Sequence, residues 1–256
     1  MLLGTLAAML VSGAKAGFGG SMGLLSVPLM IVACGDAAFA LGIMLPLLMV
    51  CDVVAVISWW GKWNLRAAGL LLPGAVVGIA VGTAGLWGFQ QLGSEGQKQI
   101  ADAWLRIGIG AIALGFVALQ GIRALRSRPI TVTPTPLHGS LVGSVAGLTS
   151  SLSHGAGPVV TMYMLPQQMP KGMYVATTVF YLWLNNLLKL PGYVALGLVS
   201  GGSLHASAVL VPGVLVGALL GLTLHKKVPQ KQFNMVVYTL LALAGVHLIT
   251  NGLRML

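Results

Sequence analysis

A chain of 256 residues that is 57% hydrophobic and only 7% charged is not a soluble domain, since such domains carry roughly a quarter charged residues. Apolar runs long enough to cross a bilayer recur from end to end and the mean hydropathy is +0.92, so the expected class is an all-α polytopic membrane protein. The net charge of +10 does not point to nucleic acid, because lysine and arginine sit mostly in short connectors and no basic stripe is interleaved with exposed aromatics.

Leu2–Ser12 and Leu24–Cys34 are two short apolar arms, each about 16 Å as a helix and half of a bilayer core. Between them runs Gly17-Phe-Gly-Gly-Ser-Met-Gly23, and glycine at this density breaks a helix. Hydrocarbon cannot hydrogen-bond the freed N–H and C=O groups, so such a break persists only where it is buried in protein or lines a polar cavity. The apolar start lacks a basic flank and a convincing cleavage site, and is read as part of the fold. After Asp36, Ala37–Trp60 is a full span ending in an aromatic pair suited to the interface. A polar connector holds Lys62, Asn64 and Arg66 before the span Ala67–Phe89. Gln90–Asp102 is expected to be a polar loop, Ala103–Ile122 a span, and Arg123, Arg126 and Arg128 follow. Pro129–Pro136 is a Thr/Pro linker that divides the chain almost in half. Cys34 and Cys51 have no metal or redox spacing and read as apolar filler, with a disulfide the lesser alternative.

The second half repeats the first. Leu137–Leu152 and Val159–Leu165 flank a second break at Ser153–Pro158, followed by the connector Gln167–Lys171. Gly172–Val199 is a long span, expected to be interrupted at Pro191-Gly192. Ser203–His225 spans, Lys226, Lys227 and Lys231 form a basic loop, and Phe233–Gly252 closes the chain. Pro73-Gly-Ala-Val-Val-Gly78-Ile-Ala-Val-Gly82 matches Pro212-Gly-Val-Leu-Val-Gly217-Ala-Leu-Leu-Gly221. Small residues at every fourth position let helices pack closely, so their value here is as a mark of duplication.

Charge relates the halves. With Lys62/Arg66, Arg123/Arg126/Arg128 and Lys226/Lys227/Lys231 all inside, Leu137–Pro166 must start and end on the cytoplasmic side, as a re-entrant hairpin. By the repeat, residues 2–34 form a hairpin entering from outside. Each half then crosses three times, so the expected architecture is a helical bundle of two inverted repeats, 1–128 and 137–256, joined by 129–136. Residues 37–60, 67–89 and 103–122 are the spans of the first repeat. Residues 172–199, 203–225 and 233–252 are those of the second.

The glycine stretch ending in Val27-Pro28-Leu29, its second copy Gly155-Ala-Gly-Pro158, Lys171 with Ala176-Thr177-Thr178, and Asn185-Asn186 with Lys189 together resemble the sulfite exporter TauE/SafE family, over essentially the whole chain. Ser21-Met22 and His154 depart from the family's usual pattern, both at hairpin tips. The resemblance implies a permease of the bacterial inner membrane that moves small sulfur-containing or organic anions such as sulfite, sulfoacetate or other sulfonates.

The candidate substrate site follows from which polar groups fall near the breaks. Lys15 lies beside the first, where an ammonium at membrane depth suggests function; its alternative is to snorkel or to cap carbonyls. Gly19, Gly20, Gly155 and Gly157 bare the backbone, while Ser21, Ser26, Ser150, Ser151 and Ser153 supply hydroxyl donors. His154 is a substrate donor, a proton carrier, or a neutral ring satisfying a loop carbonyl. Asp52, a carboxylate inside a span, is a coupling group for a proton or Na+, or a partner for a lysine. Thr178, Asn185 and Lys189 share a helix face, with Thr177 and Asn186 beside them. No nucleophile elbow, metal spacing or phosphate loop is present, which argues against an enzyme and against a bound cofactor. An uncoupled anion channel remains the nearer alternative, and an intramembrane enzyme the distant one.

Overall fold

A computed structural model describes residues 26–91, 95–125, 134–224 and 230–256, together with 5, 6, 8, 9, 12, 13 and 15. Its helices are α1 (Ser26–Cys34), α2 (Ala37–Ser58), α3 (Leu65–Gly69), α4 (Leu72–Gln90), α5 (Glu95–Leu125), α6 (Pro136–Ser153), α7 (Ala156–Met164), α8 (Lys171–Ala195), α9 (Gly201–Leu224) and α10 (Gln230–Met255). The described residues among 5–15 are helical as well. No strand occurs among the described residues. Among the described residues, four segments are long and apolar enough to cross a membrane: Ala37–Ser58, Leu65–Gln90, Gln99–Ile122 and Gly201–Gly221. Helices α8 and α10 are of similar length but carry more polar residues.

Side-chain caps start the helices where the sequence places them. Asp36 Oδ1 accepts from Phe39 N at 2.5 Å, Asn64 Oδ1 from Ala67 N at 3.1 Å, and Thr135 Oγ1 from His138 N at 3.2 Å. Helix α2 is the hub, packed against α1, α8 and α9, and its Leu41, Met44, Leu45 and Leu47 form the centre of the largest apolar cluster.

Three expectations are corrected. The loop at Gln90–Asp102 is mostly helix, because α5 starts at Glu95. Asp102 and Arg106, one turn apart on it, pair at 2.6 Å, while Asp102 Oδ1 accepts from Ala37 N and Arg106 donates to Gly35 O. That clamp fixes the turn between α1 and α2. Helix α8 is not interrupted at Pro191-Gly192 but runs through Pro191 to Ala195. One missing hydrogen bond costs less than ending a helix in hydrocarbon, and Gly192 there sits directly on Thr83 of α4. The second break is narrower than Ser153–Pro158: only His154 and Gly155 separate α6 from α7. Pro158 fits in the first turn of α7, where its missing N–H removes no intrahelical bond. Cys34 is exposed, Cys51 is buried, and both are free thiols. Arg126, Arg128, Lys226 and Lys227, on which the orientation argument rests, lie outside the described residues.

The repeated glycines mark the tightest helix contacts. A Cβ on Gly74 would overlap the Ser140 carbonyl of α6, and one on Gly78 the Ser144 carbonyl. In the second half, Gly217 meets Met9 and Ser12, and Gly221 meets Gly13. Helices α5 and α10 cross where Gly110 faces the carbonyl of Gly245, and Gly245 that of Gly110. Close backbone approach of this kind is how helices associate in lipid, where apolar side chains gain nothing by leaving one apolar surroundings for another. Gly78→Ala and Gly217→Ala should each destabilise the detergent-solubilised protein by about 1–3 kcal/mol, read as a lowered midpoint of thermal unfolding. Gly85→Ala, with open space around it, should leave the midpoint unchanged.

Candidate functional site

The chain turns out of α6 at His154, whose φ of 52° and ψ of 23° are left-handed. His154 N donates to Ser150 O at 2.9 Å and Gly155 N to Thr149 O at 3.1 Å, closing the helix end in the manner of an αL cap. Two carbonyls of this helix end also receive donors from α8. Lys189 Nζ donates to Ser150 O at 3.1 Å and Tyr193 OH to Ser151 O at 2.7 Å. Lys189 and Tyr193 are four apart, so one face of α8 covers the C-terminal end of α6, where cations are also favoured by the helix dipole.

Lys189 makes two more contacts, to Ser150 Oγ at 3.0 Å and His154 Nδ1 at 2.6 Å, which complete the three donors of an ammonium. An ammonium only donates, so Nδ1 accepts. The ring proton is thereby assigned to Nε2, which donates to Leu41 O of α2 at 3.1 Å. His154 is thus the neutral ring holding a carbonyl, with both nitrogens engaged. The Tyr193 ring packs edge-on to His154 at 5.8 Å, and Lys189 Nζ lies 5.4 Å from its centroid.

One turn back along the same side of α8, Asn186 Nδ2 donates to Asp52 Oδ2 at 2.6 Å. Asp52 Oδ1 lies 2.5 Å from Lys15 Nζ, and Lys15 is 3% exposed, so it neither snorkels nor reaches solvent. Lys189 interacts electrostatically with both Asp52 and Lys15, which makes one buried cluster of two lysines, one carboxylate and a histidine. Burying such groups is costly unless each is paired, and these are.

Of the residues expected at the site, Lys15, Asp52, His154, Asn185, Asn186 and Lys189 are all buried, and all but Asn185 belong to this cluster. Asn185 Nδ2 donates to Tyr181 OH at 3.4 Å, and its Oδ1 has no partner. Thr178 is fully buried on the same helix. Thr177 serves the fold, donating to Met173 O and accepting from Asn64 N. Ser153 Oγ bonds Thr149 O of its own helix, the bland outcome for a membrane serine. Gly155 and Gly157 are buried at the start of α7, whose N-terminus carries no side-chain cap. Gly19, Gly20 and Ser21 lie outside the described residues, as does the side chain of Ser26. Tyr193 was missed; its place four residues after Lys189 was the available signal.

Cavities of about 510, 450 and 240 Å³ open on the flanks, and Lys15, Asp52, His154 and Lys189 line none of them. The cluster is buried and closed off from these three cavities in this conformation. Tyr193→Phe would leave the Ser151 carbonyl unpaired at a broken helix end. It should lower stability by about 1–3 kcal/mol, measured by thermal unfolding in detergent, and an unchanged midpoint would show that the carbonyl has another partner.

Comparison with characterised proteins and with solved structures gives no match. The family model described as Sulfite exporter TauE/SafE matches residues 5–248, nearly the whole length over which both breaks, the glycine contacts and the buried cluster are distributed. The chain therefore belongs to the sulfite exporter TauE/SafE family, a family of membrane transporters of small anions.

Proposed function

We propose that this protein is a secondary transporter of the bacterial inner membrane that exports small sulfur-containing or organic anions, such as sulfite, sulfoacetate or other sulfonates. The observation that carries this reading is the buried cluster, in which Lys15 pairs with the one carboxylate, Asp52, and Lys189 is held by neutral acceptors beside the His154–Gly155 turn. With a neutral His154, the cluster holds one positive charge more than its own residues balance. An anion supplies the missing charge, and its oxygens accept from Lys15, Lys189, the amide of Asn185 and the bare N–H groups at the start of α7. The first glycine stretch, Gly17–Gly23 with Gly19, Gly20 and Ser21, completes the site from the other half. Coupling belongs to the same cluster, where Asp52 and His154 are the groups able to take up a proton.

Two inverted repeats, 1–128 and 137–256, place their breaks at a common depth, so that rocking one half against the other gives alternating access. The glycine contacts support this arrangement. Gly74, Gly78 and Gly82 receive the first arm of the second half, whereas Gly217 and Gly221, which match Gly78 and Gly82 in the repeat, receive the first arm of the first half. A closed, self-satisfied cluster suits a carrier better than an open pore. Counter-ion dependence of anion flux in liposomes separates the two, because a channel needs none.

Binding of methanesulfonate and sulfite to the purified protein by titration calorimetry tests the site. In an Asp52→Asn background, so that no carboxylate is left without Lys15, Lys15→Gln should weaken binding at least tenfold; unchanged affinity would place the anion elsewhere. The topology is tested separately. A cysteine placed at Gln167, in a chain with Cys34 and Cys51 replaced by alanine, should react with impermeant reagents from the cytoplasmic side only, and labelling from the periplasm would contradict the inverted repeats.

A further inference from the structure

Charge balance at the cluster has a consequence for which anions move with a proton. The charged groups that act on Asp52 among the described residues are Lys15, from the N-terminal segment, and Lys189, from α8. Asn186 is its neutral hydrogen-bond partner, and His154 is the titratable neighbour of Lys189. His154 has Nδ1 occupied by Lys189 and Nε2 by the Leu41 carbonyl, so a proton arriving there must displace a lysine. Asp52 is the group that can accept a proton without losing its framework: Oδ2 still accepts from Asn186, and a hydroxyl at Oδ1 becomes a donor.

With Lys15, Lys189 and Asp52 all charged, the cluster sums to one positive charge. A bound monoanion brings that sum to zero. A bound dianion overshoots by one negative charge, and an unbalanced charge at membrane depth is expensive. We infer that the site takes a dianion together with one proton, placed on Asp52, and a monoanion with none. The proton comes from water, adds to the Asp52 carboxylate as the dianion engages Lys15 and Lys189, and leaves when the dianion leaves. The Asp52 Oδ1 hydroxyl then donates to the dianion in place of repelling it. Proton coupling is thus set by the valence of the substrate, through competition between Asp52 and the anion for Lys15. This inference rests on the anion-site reading of the cluster.

Titration calorimetry of the full chain in buffers of different ionisation heat counts protons directly. Sulfate and sulfoacetate serve as dianions, and methanesulfonate, nearly isosteric with sulfate, as the monoanion; none of them changes charge near neutral pH. The expected result is close to one proton taken up per dianion and close to none per methanesulfonate. Asp52→Asn should abolish the uptake and, at pH 8, raise the dianion-to-monoanion affinity ratio at least tenfold, because the wild type must draw its proton from a dilute supply. Equal proton counts for the two valences, or an uptake that survives in Asp52→Asn, would overturn the inference while leaving the anion site standing. Should the variant not fold, the wild-type counts decide alone: no uptake with the dianions refutes the inference. Folded wild-type protein that binds none of the three anions would overturn the site reading and the inference with it.

Discussion

Hydrocarbon supplies no hydrogen bonds, so a helix that stops inside a membrane must find partners for its last carbonyls within the protein. At the end of α6 those partners are Lys189 and Tyr193, both from one face of α8. Much of the buried chemistry follows from this single contact. Lys189, drawn to the Ser150 carbonyl, also meets His154, and His154 in turn fastens the turn to α2 through Leu41. A structural requirement thereby brings Lys189 to the buried cluster in which the anion site is proposed.

That double use explains why the lysine-to-carboxylate arrangement is asymmetric. Asp52 pairs with Lys15 and Asn186, while Lys189, one turn further along α8, is held by neutral acceptors. Had Lys189 paired with a second carboxylate, the cluster would be balanced and an anion would have to displace a side chain. Held by a carbonyl, a hydroxyl and an imidazole, it keeps its charge available while its desolvation is offset by hydrogen bonds.

The glycines work on a different scale. Those at 74, 78, 217 and 221 let backbones touch, so that the first arm of each half lies on a helix of the opposite half. The second break thus lies at the end of an arm seated on the first half. Motion between the halves would act on the breaks directly, which is what a carrier built on this plan requires.

Much of this was legible in the residues. The apolar runs and the glycine breaks identify a helical membrane protein, because hydropathy and helix-breaking are local properties. The polar residues of the site were legible for the same reason, since Lys15, Asp52, Asn185, Asn186 and Lys189 stand out in apolar surroundings. What each is paired with was not. Lys15 meets Asp52 across 37 positions, and Lys189 meets His154 across 35, through contacts that depend on how α2, α6 and α8 pack. Helix continuity through Pro191 and the helical Glu95–Asp102 were also tertiary decisions: Thr83 seats Gly192, and Arg106 with Asp102 clamps the start of α2. Composition determined the solvent this chain lives in and which residues would be costly there. Only the folded arrangement decided which of those costly groups answer one another, because pairing is set by distance in space and not by separation along the chain.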